Sequence, residues 1–384
     1  RERERVHVGE AMWRGGPPTV YLFGFAEVMA ALRDDRLRRE GWRLLAEAET
    51  TPQPAPDTFG SLTQNWMLFR DPPDHTRLRQ LANTAFTPKR VAARRPAIAA
   101  LAEQLRDKMI DSGAPADLIA SFAFPLPVLV IADVLGVPEE DRDRFREWSS
   151  VFAAAIDVEL TELATTAARA DVASTEVSDY LRWIIARRRE EPSEDLLSAM
   201  MVARSAGDRF TEEELIATCV LLLFAGHETT VNLIGNGTLA LLRQTDQWRT
   251  LVARPELAVN ATEELLRYDG PVQLTGRVAF EDMEIGGVPV SRGTEVAMML
   301  GAANRDPAAF AEPERLDITR NVGRVMSFGM GIHFCLGAAL ARLEGEVAFA
   351  ALARRLPHLR LAEPTPAWRD GVVLRGLRSL PVEW

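Results

Sequence analysis

Ten residues near the C-terminus constrain this chain more than any others: Phe328-Gly329-Met330-Gly331-Ile332-His333-Phe334-Cys335-Leu336-Gly337. Three glycines within nine residues demand a backbone that turns tightly or approaches something closely. An amphipathic helix pattern follows directly, over Leu336–Leu356. A helix N-terminus favours negative charge, and a cysteine placed there offers it as a thiolate. Backbone N–H groups of the glycine turn can donate to the sulfur, and Phe328 and Phe334 can shield it from water. Two plainer readings stand beside this one. A free cysteine at a glycine turn can be buried and inert. Gly329-Met330-Gly331 also begins a dinucleotide-type pattern, but its third glycine position is Phe334, and no strand–turn–helix context with a downstream acid follows.

The rest of the chain reads as helices. Leu101–Ile110, Leu160–Arg189, Glu212–Leu242 and Glu256–Tyr268 place apolar residues at helical spacing. Thr211 with Glu214 forms a capping-box start, and Pro255 suits a first helical position. Strand signals cluster at Gly276–Phe280, Met283–Ile285, Val288–Val290 and Glu295–Leu300, with Gly286-Gly287 as a hairpin turn and a last strand pair expected near Val372–Leu380. The expectation is a mainly α, single-domain chain over 1–384, with its small β-rich portion at about 275–300 and 372–380. A composition of 47% apolar and 26% charged residues excludes a disordered or low-complexity chain. The net charge of −10 disfavours phosphate-driven nucleic-acid binding. Two cysteines, Cys219 and Cys335, cannot build a disulfide framework. The most apolar runs, Ala217–Ala225 and Phe122–Val137, fall short of a membrane span or are broken by Pro125, Pro127 and Asp133. The Arg1–Arg5 opening does not match a signal peptide, so a soluble cytoplasmic protein is expected.

Other segments carry chemistry of their own. Ala225-Gly226-His227-Glu228-Thr229-Thr230 interrupts an apolar helix: small Ala225 and Gly226 admit a flat group, an interior Thr bonds back to a carbonyl, and Glu228 with Thr229 forms an acid–alcohol pair able to relay protons. A zinc-protease reading of His227-Glu228 fails because the second histidine position is Val231. Glu264 and Arg267 share a helical face, as do His75 and Arg79. A plain packed helix explains the first segment as well, and surface ion pairs or cations explain the others.

Taken in order, these segments resemble the cytochrome P450 family. The ten-residue loop matches the family's heme-binding pattern, which implies that Cys335 is the thiolate ligand of heme b (iron protoporphyrin IX). The segment Ala225–Thr229 resembles the family's oxygen-activating motif. Glu264 and Arg267 match its Glu-x-x-Arg pair, and Arg315 in Ala311–Leu316 is the implied third member, with Leu316 where the family usually has Phe. His75, Arg79, Arg277 and His333 match its heme-propionate contacts, and three of the chain's five histidines fall within these motifs. The likeness runs from about residue 60 to the C-terminus and is weakest over 140–200.

The resemblance implies the P450 fold, with heme between the helix of Thr229 and the Cys335 loop. The implied activity is insertion of one atom of dioxygen into a C–H bond, by hydroxylation or epoxidation. The chain carries no flavin or iron–sulfur segment, so electrons are expected from a ferredoxin and a ferredoxin reductase. A stretch from Arg70 to Arg95 with seven Arg/Lys and two Asp is a candidate docking patch, with an ordinary solvated helix face as the equal alternative. Pocket positions implied by the family are Leu62, Trp66, Met67, Leu221, Phe224, Ala225, Val272, Gln273, Leu274, Val372 and Val373. Nearly all are apolar, which points to a hydrophobic substrate such as a macrolide or other polyketide, a terpenoid or a steroid. A monomer is the family default. Two alternatives are a peroxide-driven peroxygenase, disfavoured by the intact Glu228-Thr229 pair, and a non-catalytic P450-like partner, disfavoured by the presence of Cys335.

Overall fold

The computed structural model describes residues 4–12, 18–44, 58–156, 163–205 and 207–384. Leu160, the expected start of one helix, and Arg1–Arg3 of the opening lie outside them.

Among the described residues the eight longest helices form the body: α1 (Asp74–Ala85), α2 (Arg95–Asp111), α3 (Pro125–Leu135), α4 (Arg142–Ile156), α5 (Leu163–Glu190), α6 (Glu212–Arg243), α7 (Ala258–Asp269) and α8 (Ala338–Arg355). Helix α6 starts where the capping box places it: Glu214 N–H donates to Thr211 Oγ1 at 3.2 Å, and Thr211 N–H donates to the Glu214 carboxylate at 2.9 Å. By length and composition α6 could cross a membrane, but 78% of its apolar window is buried inside the protein. It is the central rod of the molecule, packed against α3, α4, α7 and α8. Pro255 opens a short 3-10 turn, Pro255–Leu257, ahead of α7.

The strands are β1 (Val6–Gly9), β2 (Thr19–Leu22), β3 (Leu37–Arg38), β4 (Ala116–Asp117), β5 (Thr275–Ala279), β6 (Met283–Ile285), β7 (Val288–Val290), β8 (Glu295–Met298), β9 (Arg360–Leu361) and β10 (Pro381–Glu383). One sheet has the order β1-β2-β8-β5-β3. Within it β2 and β8 run parallel, and β5 pairs antiparallel with both β8 and β3. A small core of its own lies beneath this sheet, built on Val20, Leu22, Val296 and Met298. The β6–β7 hairpin turns at Gly286 and Gly287 with φ of 56° and 82°, a pair of left-handed residues that only the glycine dipeptide accepts readily.

Two expectations need correction. The sheet recruits β1, β2 and β3 from the N-terminal region, which the sequence reading did not include. The strand pair expected at Val372–Leu380 is reduced to the isolated bridges Val272↔Leu374 and Trp368↔Leu377, and the last strand is β10. The backbone there is used elsewhere: the Arg375 carbonyl accepts from Asn236 Nδ2 of α6 at 2.9 Å rather than from a neighbouring strand.

Candidate active site

The Cys335 loop closes on itself. Gly329 N–H donates to Met326 O at 2.8 Å and Cys335 N–H to Phe328 O at 2.9 Å. Gly331 has φ of 72°, and a Cβ there would come within 2.5 Å of the Leu32 carbonyl, so this position admits only glycine. At Gly329 and Gly337 an added Cβ would meet no protein atom within 4 Å, so the loop borders open space. Cys335 is a free thiol three residues before α8. Burial pushes the thiol up, while the Gly337 N–H and the guanidinium groups of Arg79 and Arg342 act in the opposite sense. Phe328 is partly buried and lies under Arg342, 4.4 Å from guanidinium carbon to ring centre. Phe334 is 39% exposed and stands in part outside the core.

Helix α6 is buried from Leu215 to Leu242 except at Ala225, Gly226 and Thr229. These three share one face, and they open the helix at the segment expected to face the heme. Thr229 Oγ1 donates to Ala225 O at 2.9 Å, and Thr230 Oγ1 to Gly226 O at 3.2 Å. A side chain at Gly226 would point toward Ile131 of α3 at an ordinary 3.5 Å. Glu228, one position before Thr229, is buried. Its carboxylate accepts from Asn232 Nδ2 at 3.4 Å and from the Arg369 guanidinium. His227 Nε2 lies 3.4 Å from Glu228, and its Nδ1 is bonded to Ser149 Oγ of α4. Complete burial pushes His227 down to about 3, which keeps it neutral. Ser149 and Arg369 were missed in the sequence. Arg369 is 141 positions from Glu228, and no local pattern marks it.

Basic groups converge beside the Cys335 loop. The His75 and His333 rings lie against each other with centres 4.2 Å apart and planes tilted by 48°. His75 Nδ1 and His333 Nε2 are buried without a hydrogen-bond partner. Arg277, on β5, is 5% exposed and donates only to Gly276 O at 2.8 Å and Thr275 Oγ1 at 3.4 Å. Burial lowers every one of these groups, and neighbouring guanidiniums add to it at the two histidines: His75 falls to about 4, Arg277 to about 10, and Arg79 and His333 below their ordinary values. The acid nearest this group is Asp71, and its oxygens already accept the backbone N–H groups of Arg39 and Glu40. Orphaned histidine nitrogens, and guanidiniums that Asp71 acts on without a direct bond, would accommodate an anionic ligand. Among the described residues no cluster of three or more His, Cys, Asp or Glu could hold a metal ion. Heme b, with two carboxylates and a flat ring, fits this donor set.

The Glu264–Arg267 pair is completely buried and bidentate, at 2.7 and 2.8 Å. Its third member is Arg320, whose Nε donates to Glu264 Oε1 at 3.2 Å. This corrects the expectation for Arg315. That side chain is 58% exposed and pairs with Glu312, and only its backbone carbonyl joins the network, accepting from Arg267 at 3.2 Å.

Of the expected pocket residues, Leu62, Trp66, Met67, Leu221, Phe224 and Leu274 are buried, and Val272 is partly buried. Trp66 stacks on Phe224 at 5.8 Å, which joins the loop before α1 to the face of α6. Gln273 N–H donates to Val373 O at 2.9 Å, so the 272–274 and 372–374 segments lie side by side. The Gln273 amide nitrogen donates one hydrogen bond to Gly270 O at 2.7 Å. Val372 is 66% exposed and is not enclosed with the others.

The family profile described as cytochrome P450 matches residues 48–247 and 244–366. A solved structure described as the Bacillus subtilis 168 bacillaene polyketide synthase cytochrome P450 PksS superposes with a TM-score of 0.90 at 40% identity, covering 100% of this chain and 94% of that one. A second, P450BioI in complex with hexadec-9Z-enoic acid ligated acyl carrier protein, gives 0.87 at 38% identity, covering 99% and 95%. The 6-deoxyerythronolide B hydroxylase of Saccharopolyspora erythraea is 42% identical over 366 residues, 94% of this chain and 88% of that protein. With matches along essentially its whole length, the chain belongs to the cytochrome P450 family.

Proposed function

We propose that this P450 monooxygenase uses heme b to hydroxylate or epoxidise a hydrophobic small molecule of the polyketide type, with electrons from a ferredoxin and its reductase. The observation that carries the reading is the conjunction of a free Cys335 at the start of α8 with an opening in α6 at Ala225, Gly226 and Thr229. Heme bound there supplies the redox centre at which dioxygen is reduced, with the thiolate pushing electron density toward O–O cleavage.

The chain's own residues do the rest. His75, Arg79, Arg277 and His333 hold the carboxylate-bearing edge as charge-assisted donors. Gly337 N–H donates to the Cys335 sulfur and tempers its electron density. Thr229 presents its hydroxyl on the open face while leaning on the Ala225 carbonyl. Glu228 and Thr229 lie on consecutive positions of α6, and water between them passes protons from the buried acid to the open face. Arg369 pairs with Glu228 and, being 36% exposed, links it to solvent. Trp66, Phe224 and Leu221 form an apolar wall that excludes water and orients the substrate.

Polyketide substrates are favoured by that wall and by the names of the relatives. Cytoplasmic location and a monomeric state belong to the same reading. The test is the absorption spectrum of the reduced protein under carbon monoxide, for the native chain and Cys335→Ser. A strongly red-shifted Soret band, lost in the variant, supports it, and well-folded native protein without a heme band refutes it. A screen for displacement of the iron-bound water would then use macrolactones, terpenes, steroids and a carrier-protein-tethered acyl chain, the last because one relative was solved with such a partner.

A further inference from the structure

Arg39 follows β3 directly and was not among the residues the sequence singled out. Its backbone N–H is held by the Asp71 carboxylate at 3.0 and 3.1 Å, which fixes where its side chain starts. Its Nη2 donates to Thr275 Oγ1 at 2.8 Å, and Arg277 Nη1 reaches the same oxygen at 3.4 Å. Two guanidiniums thus share one neutral hydroxyl. The Arg39 Nε–H is buried without a partner. Neither nearby acid bonds to either guanidinium. Asp71 is taken up by backbone N–H groups, and buried Glu40 pairs with Arg43 at 3.0 Å and Arg70 at 3.2 Å. Two repelling, partly desolvated cations are unfavourable unless an anion lies between them. The same edge already carries the orphaned nitrogens of His75 and His333.

We propose that Arg39 is a fifth heme-carboxylate residue, its unpaired Nε–H and the Arg277 guanidinium gripping a propionate from the β-sheet side. Burial and the Arg277 charge both oppose protonation of Arg39 in the ligand-free chain, and a carboxylate between the two would remove that penalty. The inference rests on heme occupying the site.

The experiment uses purified holoprotein: native, Arg39→Gln, Arg39→Lys and, as a control, Arg36→Gln, whose exposed side chain is already paired with Asp34. Heme transfer to excess apomyoglobin and the midpoint potential are read by absorbance. Losing a charged hydrogen bond should speed transfer from Arg39→Gln roughly tenfold or more, with Arg39→Lys in between and Arg36→Gln at the native rate. Removing a cation beside the heme should also make the potential more negative in Arg39→Gln, because the reduced state carries the extra electron. Transfer within twofold of native and an unshifted potential would overturn the proposal. If Arg39→Gln yields no folded holoprotein, Arg39→Lys decides on the same two readouts. Native heme retention with weakened binding of a long-chain carboxylic acid would reassign Arg39 to an acidic substrate and also overturn it. A native protein without a heme band fails earlier and refutes the heme reading instead.

Discussion

Alanine substitution of Arg267, Arg320 and Arg315, one at a time, should rank the three in that order of damage. Every N–H of the Arg267 guanidinium is used: two on Glu264, and the rest on the carbonyls of Asn304, Pro313 and Arg315. Both side chains of the pair are 0% exposed. Arg267→Ala leaves a buried carboxylate with only the Asp317 N–H and Arg320 as donors, which places the cost at about 3–5 kcal/mol. Arg320→Ala leaves Glu264 paired with Arg267 but removes one charged bond and frees the carbonyls of Ala311 and Glu312, while the Arg315 carbonyl keeps Arg267, for about 1.5–3 kcal/mol. Arg315→Ala removes an exposed surface pair, for about 0.5 kcal/mol or less. Over 384 residues, 1 kcal/mol corresponds to roughly 1.2 °C of melting temperature. Thermal loss of the carbon-monoxide band should therefore fall by about 4–6 °C, 2–4 °C and less than 1 °C respectively. An Arg315→Ala protein as unstable as Arg320→Ala would show that the exposed arginine belongs to the network, and the assignment of Arg320 would be withdrawn.

Three further outcomes are expected. His227 sits near 3 in the folded protein against an ordinary 6.5, so the unfolded chain binds the extra proton as pH falls below about 6.5, and stability drops by roughly 2 kcal/mol at pH 5. His227→Gln should flatten that slope in melting curves taken between pH 7 and 5, and an unchanged slope assigns the loss to other groups. Thr229→Ala should continue to consume electrons while product per electron falls several-fold, and Arg369→Ala should slow turnover about tenfold with a larger solvent isotope effect, both read by product and peroxide quantification. Normal coupling and a native isotope effect would remove these residues from the relay. In the docking patch, Arg94 is bonded to Asp133 and Arg95 to Glu346, whereas Lys89 and Arg90 make no ion pair among the described residues. Lys89→Glu with Arg90→Glu should raise the KM for ferredoxin more than Arg94→Glu with Arg95→Glu, and the difference should vanish at high salt. Equal effects at all salt concentrations would refute steering by this face.

What could be read from the residues beforehand follows the range of the forces involved. The start of α6 rests on Thr211 and Glu214, three positions apart, and the β6–β7 turn on two adjacent glycines, so local chemistry alone predicts both. The Cys335 loop is equally self-contained, because its turn, its sulfur donor at Gly337 and the helix that follows are consecutive. Short strands are different. β3 has two residues, and only its pairing with β5 makes it a strand, so no pattern within it announces the sheet. The same limit explains the misplaced arginine. Arg315 and Arg320 differ in sequence by five positions and in character not at all, and the choice between them is made by the fold of 312–320, which turns one side chain to solvent and the other onto Glu264. Arg39 and Arg369 extend the point to chemistry. Each is an unremarkable surface-type residue by composition, and each acquires a role only because a distant segment brings an acid, or the lack of one, beside it. In a site that holds a dianionic ligand, such positions are found by asking which buried cations lack a carboxylate, a question that needs coordinates and that no spacing rule can answer.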